Sequence, residues 1–235
     1  MQIRFESAPT GQRRAVTSGL VAMEQAELAL ELTQGVTDEG ISRVLQYVSD
    51  YIATSGQHIL AGETMRYGWS TIRFVPTASP TILNIEELTN PFAPGNEGFS
   101  VGASKAIAIL TEQDATVHRN GIAKVAHHPH RSELALICRR LTPNPPPKVM
   151  VFDRIKANRS DDSGWFVGCG NTEHNHNDFN ELSRLHLVYL TSLNALIVNY
   201  LAMPEDSRVV FDHGRVIVFA PGQQEGKADA GPTSA

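Results

Sequence analysis

The residues best suited to chemistry lie in one stretch, Asp161 to Glu181, which reads DDSGWFVGCGNTEHNHNDFNE. His174 and His176 stand two apart, so on an extended segment both imidazoles share a side, and a carboxylate from Glu173 or Asp178 would complete a metal-binding set. That set makes a small metal-dependent enzyme one reading of the chain. Neither HExxH nor paired CxxC occurs, and Cys138 and Cys169 lack metal-motif spacing. Polar loop histidines are the plainer account, and no metal ligand is assigned. His127, His128 and His130, around Pro129, read as a loop or linker.

Nucleophilic catalysis finds little support. There is no GxSxG elbow, Gly168 and Gly170 give GxG without a third glycine, and no GxxxxGK phosphate loop occurs. No catalytic residue and no cofactor are assigned. What remains in the stretch is acidic: Asp161, Asp162, Glu173, Asp178 and Glu181, set around Trp165. Turn and capping chemistry explains part of it, since Asp and Asn favour turns and Asn177 or Asp178 can cap a following helix. A large aromatic among carboxylates reads instead as a packed anchor or a contact surface. These six residues are the candidate partner contacts.

Several elements must position them. A short opening strand, Gln2 to Glu6, precedes a segment from Val16 that places Leu20, Met23, Ala26 and Leu30 at steps of three and four, which predicts an amphipathic helix ending near Gly35. Asp38 reads as the N-cap of a second helix with Ile41, Val44, Leu45, Val48 and Ile52 on one face, closed by Gly56. The two predict an antiparallel helical pair. Met65 to Val75 reads as a strand, Pro76 to Gly98 as a long irregular connection, and about Ser100 to Val117 as a third helix. Leu134–Cys138 and Val149–Ile155 read as partner strands around the loop that holds Pro143 and Pro145 to Pro147. Asp178 to Leu201 reads as helical, as one helix or as two broken near Thr191, and Val209–Phe211 with Val216–Phe219 as a closing hairpin that turns at His213 and Gly214.

The fold class expected is α+β: an N-terminal helical pair with a small sheet over residues 1–130, then an α+β domain with antiparallel strands over 131–220. Residues 221–235 hold no large apolar side chain and read as a disordered tail. With 41% hydrophobic and 19% charged residues the chain can bury a core, which excludes disorder throughout. A net charge of −5, from 20 basic and 25 acidic residues, argues against direct binding to nucleic acid. Two cysteines are too few for a disulfide framework, and neither a signal peptide nor a membrane-spanning run is read, so the expected location is the cytosol. Oligomeric state is left open.

From the DSGW tetrad (Asp162, Ser163, Gly164, Trp165) outward, residues 133–219 resemble a bacterial immunity-protein domain, immunity protein family thirty-three. The resemblance rests on Leu134 to Arg140, on Val149 to Arg154, on DSGW followed by Gly170 and Glu173, and on a leucine-rich segment leading to Pro204–Phe211. It departs from the family pattern at His174 to Asn177, where acids are expected. It implies a protein that protects the producing cell by binding a cognate antibacterial toxin, such as an effector of a type VI-like system. The acidic balance fits a basic toxin such as a nuclease, with the six residues above as contacts.

Overall fold

The computed structural model describes residues 1–7, 13–31, 35–95, 98–171 and 173–223. Most of the expected tail, residues 224–235, lies outside the described residues. The chain divides into two compact units between Glu112 and Gln113, whereas the sequence reading put the boundary near residue 130. The division falls within a helix, Ser104–Arg119.

In the first unit, β1 (Gln2–Ser7), β2 (Arg13–Ser18) and β3 (Glu27–Glu31) come before helix α1 (Asp38–Ser55). Then follow β4 (Thr64–Tyr67), β5 (Ser70–Pro76), β6 (Ile82–Leu88), β7 (Phe99–Val101) and the start of α2 (Ser104–Arg119), the helix that holds the division. The sheet order is β1-β2-β3-β6-β5-β4, with β7 beside β6, and β3 runs parallel to β6. Ile41, Val44, Leu45 and Val48 of α1 pack with Leu28, Leu30, Ile72, Phe74 and Ile85 of the sheet to make the core.

The expected helical pair is therefore half right. Only α1 forms, and its N-cap is Thr37, whose Oγ1 accepts from the Gly40 N–H at 3.1 Å, with Asp38 already in the first turn. The segment from Val16 to Leu30 is two strands and a short turn, because Leu28, Ala29 and Leu30 are all buried and a strand covered on both faces reads as a continuous apolar run. Its threefold spacing is a by-product of chain reversal at Gly19 and Glu24, both at positive φ. The Glu27 carboxylate collects the backbone N–H groups of Gly19, Leu20 and Val21 and the Thr17 hydroxyl, holding that turn. Met65 to Val75 is a hairpin rather than one strand, and the long connection contains β6.

The second unit is built on β8 (Leu134–Cys138), β9 (Val149–Arg154), β10 (Asp162–Gly168), β11 (Leu182–His186), β12 (Arg208–Asp212) and β13 (Arg215–Phe219). Their order is β11-β8-β10-β9-β12-β13, antiparallel throughout except that β8 and β10 run parallel. The closing hairpin is present as expected. β8 and β9 do not pair with each other; β10, which lies in the stretch read as a loop, inserts between them. Trp165, Phe152 and Phe211 form the core, with ring centroids 6.3 Å apart for Trp165 and Phe152 and 5.4 Å for Phe152 and Phe211.

The helix expected over Asp178 to Leu201 is replaced by β11 and short 3-10 turns at Phe179–Glu181, Leu187–Ser192 and Ala195–Tyr200. Side chains that compete with the helical backbone explain this. Thr191 Oγ1 donates to Val188 O, Ser192 Oγ to Tyr189 O, and Asn194 Oδ1 accepts from Leu196 N–H at 2.9 Å.

Candidate functional site

The DSGW tetrad forms the first turn of β10. The Asp162 carboxylate accepts the Gly164 N–H at 2.9 Å, while Ser163 Oγ donates to Leu134 O at 2.7 Å and accepts the Trp165 N–H at 3.2 Å. Gly164 sits at φ +73, and a side chain there would run into the carbonyl oxygen of Ile155. The pairing of β10 with β8 shifts register across these residues, so the tetrad is a bulge that lets the strand turn inward. Its outcome is Trp165, buried at 2% exposure with its indole N–H donating to Leu201 O at 3.0 Å. Asp161 is engaged by the Arg159 guanidinium at 3.0 Å from both oxygens. Asp162 and Trp165 thus serve the fold directly.

The other three acids lie on the loop after β10. Glu173 and Asp178 are exposed, and Asp178 Oδ1 caps the turn at Phe179–Glu181 by accepting Asn180 N–H at 2.9 Å. Glu181 Oε2 lies 3.2 Å from His174 Nε2 and 3.9 Å from Arg140 Nε. Between these carboxylates stands Phe179, 82% exposed, beside a cavity of about 480 Å³ lined by Leu136, Phe166, His176, Asn177, Phe179 and Leu182. The apolar prominence of this loop is therefore Phe179, which the sequence reading did not single out.

Under the loop, the two cysteines and two histidines meet. Parallel pairing of β8 with β10 sets Val167 against Ile137, so Cys138 at the end of one strand comes beside Cys169 just past the end of the other. A turn closed by His174 N–H donating to Asn171 O at 3.2 Å brings the loop back over them. Each sulfur then lies 3.4 Å from His174 Nδ1, and Cys169 Sγ lies 3.5 Å from His176 Nε2. The four donor atoms all fall within 4.8 Å of one another, and the histidine rings are 4.6 Å apart. Cys138 and His174 are buried, Cys169 and His176 half-buried. Burial pushes the Cys138 thiol pKa up, and burial with the charges of His174 and Arg140 holds that of His176 below the ordinary imidazole value. Glu173 and Asp178, the carboxylates expected to join a metal set, are not in this cluster. The signal in the sequence was Cys169 with His174 and His176 close behind it; the fourth member came from a strand far upstream.

A second buried polar group supports the unit. The Glu133 carboxylate accepts the His130 N–H at 2.8 Å and lies 3.0 Å from His127 Nε2. The Arg154 guanidinium, packed 5.4 Å from the Trp165 ring centroid, adds its charge. Burial alone would raise the Glu133 pKa, but the hydrogen bonds from His127 and His130 and the charges of His127 and Arg154 outweigh it and hold the carboxyl below its usual range. His127 and His130, read as linker, belong to this network, and the His128 imidazole meets Asp114 at 2.7 Å.

Residues 112–220 match the Imm33-like domain. This immunity-family segment contains the whole of the resemblance drawn from residues 133–219 and covers just under half of the chain. No curated protein and no solved structure matches the chain. The Imm33-like domain holds every candidate contact and the entire Cys and His cluster, whereas β1 to β7 and α1 lie outside it. No helix among the described residues is long and apolar enough to cross a membrane.

Proposed function

We propose that the Imm33-like domain binds and neutralises a cognate antibacterial toxin, acting by surface complementarity and making no bond of its own. The observation that carries this reading is the family match over residues 112–220. The toxin proposed is a basic polypeptide of nuclease type, delivered by a type VI-like system and met in the cytosol of the producing cell, since a surface built to attract phosphates also attracts clustered carboxylates. The loop after β10 supplies the contact: Phe179 as the apolar anchor, with Glu173, Asp178 and Glu181 around it. An exposed aromatic inside a polar rim is the usual anatomy of a binding hot spot. Asp161 adds charge beside it, and Asp162 and Trp165 contribute by shaping the strand that carries the loop.

The test is co-expression with the polypeptide encoded by the neighbouring gene. The expected result is suppression of its lethality and a stable complex. Phe179→Ala, and Glu173→Lys with Asp178→Lys, should each weaken that complex by about tenfold or more, which is about 1.4 kcal/mol. Unchanged affinity in folded variants would remove this loop from the interface, and full lethality despite soluble expression would overturn the reading.

A further inference from the structure

Two thiols and two imidazoles face one another in the Cys and His cluster. A single imidazole lone pair, on His174 Nδ1, faces two sulfurs, each 3.4 Å away. One thiol can donate into it, and the Cys169 thiol has His176 Nε2 at 3.5 Å as a second acceptor, so the cluster pairs two thiols with two lone-pair nitrogens. The other nitrogen of that ring faces the Glu181 carboxylate at 3.2 Å, which places the ring proton on Nε2 and leaves Nδ1 bare. A carboxylate behind a histidine in this way is the usual support of a metal ligand, fixing its tautomer and orientation. The Cys169 N–H donates to His176 Nε2 at 3.5 Å, so that nitrogen carries a lone pair and no proton.

Distances decide which ion fits. Zinc bonds of about 2.3 Å to sulfur and about 2.05 Å to nitrogen at the tetrahedral angle put the sulfur and nitrogen atoms about 3.6 Å apart. Three of the four sulfur to nitrogen separations are 3.4, 3.4 and 3.5 Å, and the fourth, Cys138 to His176, is within 4.8 Å. Two thiolates also cancel the charge of a divalent ion, so the filled centre is neutral, as suits a site with Cys138 at 1% and His174 at 7% exposure.

We propose that Cys138, Cys169, His174 and His176 form a structural zinc(II) site of the Cys2His2 type. Binding forms two Zn–S and two Zn–N bonds and releases the two thiol protons to solvent, with no change of oxidation state. Four protein ligands fill the tetrahedral shell and leave no position for substrate, so the ion ties structure together and does no catalysis. It joins the ends of β8 and β10 to the loop carrying Glu173, Asp178 and Phe179. The site stands independently of any toxin.

The test uses the full chain purified under reducing conditions without chelator and dialysed into metal-free buffer. Elemental analysis should find one zinc per chain, released when a mercurial reagent titrates the two thiols. Replacement of zinc by cobalt(II) should give the intense visible bands of tetrahedral cobalt and a sulfur-to-cobalt charge-transfer band in the ultraviolet. Cys169→Ser with His176→Gln should abolish both signals, and Glu181→Gln should weaken zinc binding about 10- to 100-fold in competition with a chromophoric chelator. His213→Gln, on the β12–β13 turn, should leave all of them unchanged. Metal-free protein that shows only weak octahedral cobalt absorption overturns the proposal without any variant. So does a Cys138–Cys169 disulfide in the reduced preparation, or zinc retained at full stoichiometry in the double variant.

Discussion

Gly164→Ala isolates the reason the DSGW tetrad has its glycine. An alanine at φ +73 adopts a left-handed conformation that costs about 1–2 kcal/mol. Its Cβ meets the Ile155 carbonyl oxygen and lies 3.2 Å from Ala157 N, so backbone rather than a flexible side chain must move. Overpacking of that kind adds about 1–3 kcal/mol. The shift also strains the hydrogen bond from Ile155 N–H to Gly164 O, 2.9 Å long, with a net worth of about 1 kcal/mol. The sum is about 3–6 kcal/mol. Gly214→Ala is the control: φ is +83, in the same unit, but nothing lies within 4 Å of the added carbon. Strain alone should cost it about 1–2 kcal/mol. Hydrogen exchange read by mass spectrometry across a urea series separates peptides of β9 and β10 from those of the first unit. With a slope of about 2 kcal/mol/M, Gly164→Ala should lower the midpoint of those peptides by about 1.5–3 M and Gly214→Ala by about 0.5–1 M. Equal shifts for the two variants would refute the backbone-collision argument.

Three further outcomes follow from buried groups. Trp165→Ala should cost the second unit about 3–5 kcal/mol in thermal or urea melts, since it empties the core and strips Leu201 O of its donor; a loss under about 1 kcal/mol would contradict the packing described. The Glu133 carboxyl is held below its ordinary value near 4.5, so its stabilisation is complete above that pH and disappears as pH falls through the lowered folded-state value. Melting of the wild-type second unit should accordingly steepen below about pH 4.5, and Glu133→Gln should flatten that acid limb; identical limbs would show that the carboxylate carries no such linkage. In the first unit, buried Glu87 accepts the Lys105 and Ala106 N–H groups and the Ser104 hydroxyl at the start of α2. Glu87→Gln should therefore lower stability by about 1 kcal/mol, more at low salt than at high, as measured by urea unfolding of the β5 and β6 peptides.

Local rules made α1, the closing hairpin and the strands Leu134–Cys138 and Val149–Arg154 legible, because apolar periodicity, a helix-closing glycine at Gly56 and a His-Gly turn act within a few residues. They misread Val16 to Leu30 and Asp178 to Leu201. In both, apolar residues three and four apart were laid down by turns and edge pairing, and the deciding interactions were side chains such as Glu27, Thr191 and Asn194 gripping the backbone.

The DSGW tetrad and its flanking strands sufficed to draw the resemblance of residues 133–219 to an immunity-protein domain, within the 112–220 segment that the family model matches, since a bulge of contiguous residues leaves a contiguous trace. The same tetrad looked like a contact surface until its carboxylate and indole were found to be hydrogen-bonded within the fold. Cys138 and Cys169 were beyond any spacing rule: only the parallel register of β8 and β10 makes them neighbours. The turn at Asn171 then carries His174 and His176 onto them. Convergence of distant donors is a property of strand order and register, which no local pattern encodes.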